Sequence, residues 1–210
     1  PYGCSKVFAY NLVKHYRYAY KLFACNGILF NHESPRRGAN FETNKVVKNS
    51  VRIALGLQKT LEVGNIHAYR DWGHAKDYDR AMNMIINYKK ADDWVVATGK
   101  SRSVGQMIDY IFKKLNLNRK KHLRINKKFF RPEELKYLQG DSSKTRKYLK
   151  WKPEYTDTHI YWRQFKITND SEKKGVVFYN ELDRYSTFLR TRVTKENYLR
   201  VLLKGNRLNR

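Results

Sequence analysis

The chain has 210 residues, 41% of them hydrophobic and 14% aromatic, and a formal net charge of +25. That length suits one domain of ordinary size or a domain with an appendage, and the aromatic content sets the chain apart from disordered sequences. No apolar run reaches the roughly 20 residues of a membrane-spanning helix, and Cys4 and Cys25 are too few for a disulfide framework; both point to a soluble protein of a reducing, cytoplasmic compartment with no membrane contact.

From Tyr2 to about Phe23 there is no Gly or Pro after position 3, and Val7, Leu12, Val13, Tyr16 and Tyr20 keep near-helical spacing, which predicts a long helix. "ACNGILFN" (24–31) reads as a strand covered on both faces, and "HESPRRGANF" (32–41) as a loop. "ETNKVVKNSVRIALGLQ" (42–58) resumes a helical pattern, and "TLEVGN" (60–65) is a short strand ending in a turn. A loop then leads into a helix within 71–90, followed by a strand at "DWVVATG" (93–99) and a serine-capped helix over 101–117. A last short helix falls on 142–151.

Strands alternating with helices over 1–155 predict an α/β domain with a mostly parallel sheet. The remaining 156–210 change character. "THIYWRQFKI" alternates in part like a strand, "NDSEKKG" is a turn, and "VTKENYLRVLLKGN" offers Thr194 as a helix cap and Gly205 as a stop; the segment is read as a basic extension of unknown fold.

Charge is uneven along the chain. Residues 111–150 hold 14 Lys and Arg against three Asp and Glu, a net +11 in forty residues. Such a stretch can neutralise phosphates and bind RNA by counterion release; a solvated surface is the other reading. No spacing of His, Cys, Asp or Glu resembles a metal site.

The first residues raise a chemical question of their own. In "YGCSK" Tyr2 and Lys6 stand one helical turn apart on one face. Buried beside an ammonium, a phenol is shifted toward phenolate and can act as a base near neutral pH. With 16 Tyr in the chain, such pairs also arise by chance, so the spacing alone does not specify an enzyme.

Three further stretches do. "LFNHESPRRG" (29–38), "GNIHAYRDWGHAKDY" (64–78) and "FFRPEELKYLQGDSSK" (129–144), following "YGCSK" in this order, resemble the GDP-mannose 4,6-dehydratases, a branch of the extended short-chain dehydrogenase/reductase superfamily. The resemblance covers residues 1 to about 155 and implies the C-terminal portion of a Rossmann-like NADP-binding domain plus the small substrate-binding subdomain. It further implies NADP as cofactor and GDP-mannose as substrate. By position, Tyr2 matches the base at the sugar 4-hydroxyl, and Lys6 the residue that tunes it and holds the nicotinamide ribose. His32 and Arg37 match cofactor contacts. Asn31, Lys45, Arg70, Arg131 and Glu134 fall where the family grips GDP-mannose. His74 reads as a structural hydrogen-bonder.

The chain also departs from the pattern: His67 and Tyr69 stand where an acidic and a basic residue are usual, and Asn44 where an Arg is common. No G-x-x-G-x-x-G dinucleotide fingerprint occurs in the 210 residues. Together with the missing initiator methionine, this sets two expectations. The first is a dehydratase portion, inactive alone, that works as a homo-oligomer or with a complementing N-terminal half. The second is a dehydratase-derived basic module that binds RNA through residues 111–150, as an organellar ribosome component would.

Overall fold

The computed structural model describes residues 1–155 except Pro35 and Ala39, and the backbone of two strands at 164–170 and 173–179. Helix α1 (Tyr2–Ala19) leads to strands β1 (Asn26–Leu29) and β2 (Asn31–Glu33), then α2 (Glu42–Ala54) and β3 (Leu61–Val63). Next come β4 (Tyr69–His74), α3 (Ala75–Ile86), β5 (Asp93–Val96), β6 (Ser101–Ser103) and α4 (Val104–Lys114). A four-residue helix α5 (Arg119–His122), β7 (Leu123–Ile125) and α6 (Ser143–Leu149) complete the domain, and β8 (Gln164–Asp170) pairs antiparallel with β9 (Lys173–Tyr179).

The expected α/β architecture holds. β1 pairs parallel with β5, β2 with β4 and β3 with β7, while β6 adds antiparallel to β4. Two corrections concern the strands around the site. The loop expected over 32–41 begins at Ser34, because His32 and Glu33 are already paired with Gly73 and His74 in β2. The loop expected at the start of 71–90 is the end of β4, whose residues are buried from Asp71 onward and therefore lack the alternation that marks a half-exposed strand. Thr194 and Gly205 lie outside the described residues.

Two apolar clusters organise the domain. In one, Val46 and Val51 of α2 meet Leu61 and Val63 of β3 and Met107, Ile108 and Ile111 of α4. In the other, Tyr78, Ala81 and Ile85 of α3 meet Trp94 and Val96 of β5, Leu149 of α6 and Trp151. The predicted serine cap of the 101–117 helix is a complete capping box: Gln106 N–H donates to Ser103 Oγ, and Ser103 N–H to Gln106 Oε1. Ser103→Ala is expected to cost about 1 kcal/mol in chemical denaturation, the usual value of such a cap.

Among the described residues α1 is tied to the sheet through its middle and its C-terminal end. Arg17 sits 2.6 Å from Asp93 and donates to the Ala24 carbonyl, and Tyr10 and Asn26 also donate to Asp93. Burial works to raise the Asp93 carboxyl, but these donors and the Arg17 charge hold it below its ordinary range. Along the rest of α1 Tyr2, Val7, Phe8, Leu12 and Tyr16 are exposed, and among the described residues β1 is paired on the β5 side alone. No described helix is long and apolar enough to cross a membrane.

Candidate functional site

A cleft of about 480 Å³ opens where β2, the N-terminus of α2, β4 and the 129–134 segment meet. Its lining includes Asn31 and Glu33 from β2, Arg37 and Phe41 from the following loop, and Glu42, Thr43 and Lys45 from the first turn of α2. Gly64 and Asn65 follow β3, Arg70 and Trp72 lie on β4, and Phe129, Arg131 and Glu134 close the far side. Six residues assigned by resemblance, Asn31, Arg37, Lys45, Arg70, Arg131 and Glu134, are thus brought together from five separate segments.

Arg70 is the best anchored of the cations. Its guanidinium donates to the carbonyls of Tyr69 and Leu135, each at 2.7 Å, and lies 3.2 Å from Glu134. Asn65 completes the group: its amide donates to the other Glu134 oxygen at 3.0 Å, while its carbonyl oxygen accepts from His67 N–H to close the turn. Sequence reasoning passed over Asn65, although an Asn two residues before an exposed backbone N–H was a legible turn signal. Gly64 lets this turn approach the far wall, since a Cβ there would stand 2.6 Å from the Phe129 carbonyl oxygen.

Across the cleft Glu33 is buried, accepts a short hydrogen bond from the Thr43 hydroxyl and lies 3.2 Å from Arg37 Nε. Burial raises the Glu33 carboxyl, opposed by Thr43 and Arg37. The Arg37 guanidinium rests 3.5 Å from the centre of the Phe41 ring, and Lys45 Nζ stands 3.8 Å from that of Phe129. Asn44, one of the departures, donates to the Arg37 carbonyl and so fastens the Arg37 loop to α2.

The other assigned residues lie elsewhere. Tyr2 and Lys6 do share a helix face, with Lys6 Nζ 5.2 Å from the Tyr2 ring centre, but neither lines the cleft, and Tyr2 is 76% exposed rather than buried beside its ammonium. His32 is next to the cleft in β2. Its Nδ1 is 2.9 Å from the Phe30 carbonyl, which makes Nδ1 the donor, and its ring stacks on Tyr78. His74 is structural, as expected: it caps α3 by accepting from Lys76 N–H and stacks on Tyr155 at 4.3 Å. Among the described residues no cluster of three or more His, Cys, Asp or Glu is arranged to hold a metal.

The family model for GDP-mannose 4,6 dehydratase matches residues 1–161. GDP-mannose 4,6 dehydratase 1 of Arabidopsis thaliana is 51% identical over 153 residues, covering 73% of this chain and 42% of that protein. The Homo sapiens GDP-mannose 4,6 dehydratase is 43% identical over 170 residues, covering 73% and 46%. Among solved structures, RMD from Pseudomonas aeruginosa complexed with NADPH superposes with a TM-score of 0.68 at 21% identity, over 77% of this chain and 53% of that one. The chain therefore spans about half the length of the curated relatives it matches. With a family model covering most of its residues and identities of this size over nearly three quarters of its length, the chain belongs to the GDP-mannose 4,6-dehydratase family.

Proposed function

We propose that the enzyme to which this sequence belongs converts GDP-mannose to GDP-4-keto-6-deoxymannose and that the cleft described above holds the nucleotide sugar. One observation carries the reading: four cations from four segments converge on one cleft beside amide and carboxylate groups. Guanidinium and ammonium groups match a diphosphate, and the Asn31, Asn65 and Glu134 side chains match base or ribose donors and hydroxyls.

Within that reaction Tyr2, as the phenolate that the Lys6 ammonium stabilises, takes the proton from the sugar 4-hydroxyl and becomes the phenol. NADP supplies the hydride acceptor when bound, and Lys6, His32 and Arg37 are the residues of this chain that would hold it. The fit is partial: Lys6 lies on an open helix face and the His32 Nδ1 is taken up by the Phe30 carbonyl, while no glycine-rich turn for the pyrophosphate is present in these residues. The open apolar face of α1 and the free edge of β1 support a further proposal, that both pack against additional polypeptide carrying that turn.

Calorimetric titration of the full chain with GDP tests the cleft. Lys45→Ala and Arg131→Ala are each expected to weaken binding about tenfold, the value of one charge-assisted phosphate contact. GDP affinity unchanged in both variants would overturn the assignment.

A further inference from the structure

We propose that Glu42 is a specificity-determining residue of the cleft, whose carboxylate competes with an incoming diphosphate for Lys45 and Arg131 and so makes phosphate binding depend on pH. The proposal rests on the reading of the cleft as a nucleotide-sugar site and adds to it a resident competitor.

Three acids line the cleft, and two have fixed partners. Glu33 is held by Thr43 and Arg37, and Glu134 by Asn65 and Arg70. Each of those carboxylates offsets one arginine. Glu42 makes no hydrogen bond and no ion pair among the described residues, although it stands in the first turn of α2 and lines the cleft with Lys45 and Arg131. Among the described residues neither of those cations is in ion-pair contact with a carboxylate: Lys45 rests on the Phe129 ring, Arg131 is exposed, and the Glu42 charge acts on both at longer range. The two cations left to recognise phosphate therefore share their surroundings with one unpaired acid. The N-terminus of α2 favours negative charge, and the Glu42 carboxylate already supplies it there.

The groups that act on Glu42 come from its own helix and from the opposite wall. Burial raises its carboxyl, Lys45 and Arg131 pull it down, and Glu134 pushes it up, with a net rise. Glu33, Arg37 and Arg70 lie in the same cleft but are paired among themselves and with Glu134. The sign follows directly. As pH falls through the raised Glu42 value, the carboxyl gains a proton, its repulsion of phosphate vanishes and its longer-range pull on Lys45 and Arg131 ends, so binding tightens. Glutamine at this position reproduces the protonated state at every pH.

The full chain, Glu42→Gln and Glu42→Ala are titrated calorimetrically with GDP and with inorganic pyrophosphate at pH 8 and at a series of lower pH values down to that of an ordinary carboxyl, with thermal melts to show that all three are folded. At pH 8 both variants are expected to bind either ligand about tenfold tighter than the parent, as removal of one like charge at contact range in a half-exposed cleft implies. The gap is expected to narrow as pH falls through that range. Comparing variants at the same pH cancels the ligand's own titration. Equal affinities at pH 8, or a gap that does not narrow, would overturn the proposal. GDP binding that Arg131→Ala weakens but Glu42→Gln leaves unchanged rejects this inference alone; no GDP binding by the parent or either variant rejects it together with the cleft assignment.

Discussion

Asp71→Ala is expected to destabilise the protein by about 4 kcal/mol, a large part of the stability of an ordinary domain. Asp71 is fully buried behind the cleft, next to Arg70 in β4. One carboxylate oxygen accepts from the Thr98 N–H at 3.0 Å and from the Thr98 hydroxyl; the other accepts from Gly99 N–H at 2.9 Å and Gly140 N–H at 3.2 Å. A single side chain thus joins β4 to the turn after β5 and to the segment leading into α6. Alanine leaves three backbone donors without their acceptor, at about 1–3 kcal/mol each before water enters the space, while the Thr98 hydroxyl keeps the Lys100 carbonyl at 3.2 Å. Asp71→Asn should cost about half as much, since its amide group can accept at only one of the two oxygen positions. Urea denaturation of the three proteins is the measurement; a loss below about 1 kcal/mol for alanine would remove Asp71 from this role.

Arg70→Ala is expected to weaken GDP binding about 100-fold, more than either Lys45→Ala or Arg131→Ala, because two effects add. The variant loses a donor fixed by two backbone carbonyls, and it leaves Glu134 a carboxylate with only Asn65 as partner in a phosphate site. The second effect is separable. Adding Glu134→Gln to Arg70→Ala should recover about tenfold of the loss, whereas Glu134→Gln in the parent background should not tighten binding. Strict additivity in this cycle would show that the two side chains do not act as a pair.

None of the relatives named above supports the basic stretch at 111–150 as an RNA surface, and part of its charge is committed internally. Arg119 pairs with Asp109, Arg124 donates to the carbonyls of Lys120 and Leu123, and Arg131 belongs to the cleft. Charge counted along a sequence does not distinguish such engaged groups from free ones.

Some features were legible from residue order alone. The helical spacing of α2 and α4, the serine cap at Ser103 and the existence of β1 and β5 follow from local periodicity and propensity, and the structure keeps them with ends shifted by a few residues; the expectation that the β1 run is covered on both faces fails, since Gly27 and Ile28 are exposed. The α1 helix stops at Ala19 rather than near Phe23, with Lys21 in the left-handed region at φ 55°. β4, β6 and β7 were not legible. β6 and β7 are three residues long, β4 does not alternate, and strands of this kind exist only through partners that lie far away in the chain.

The same division runs through the site. The sequence by itself determined which residue types are available, a Tyr and a Lys one turn apart and a family's worth of Asn, Arg and Glu in recognisable motifs, because those are properties of neighbours along the chain. Only the tertiary structure decided that Arg37, Lys45, Arg70, Arg131 and Glu134 share one cleft while Tyr2 and Lys6 stand on an open helix. It alone also decided that Asn65 pairs with Glu134, that Asp71 joins three segments and that Glu42 lines the cleft without an ion pair among the described residues. Pairing between side chains some 70 positions apart is set by how sheets and helices pack, and no local pattern encodes it.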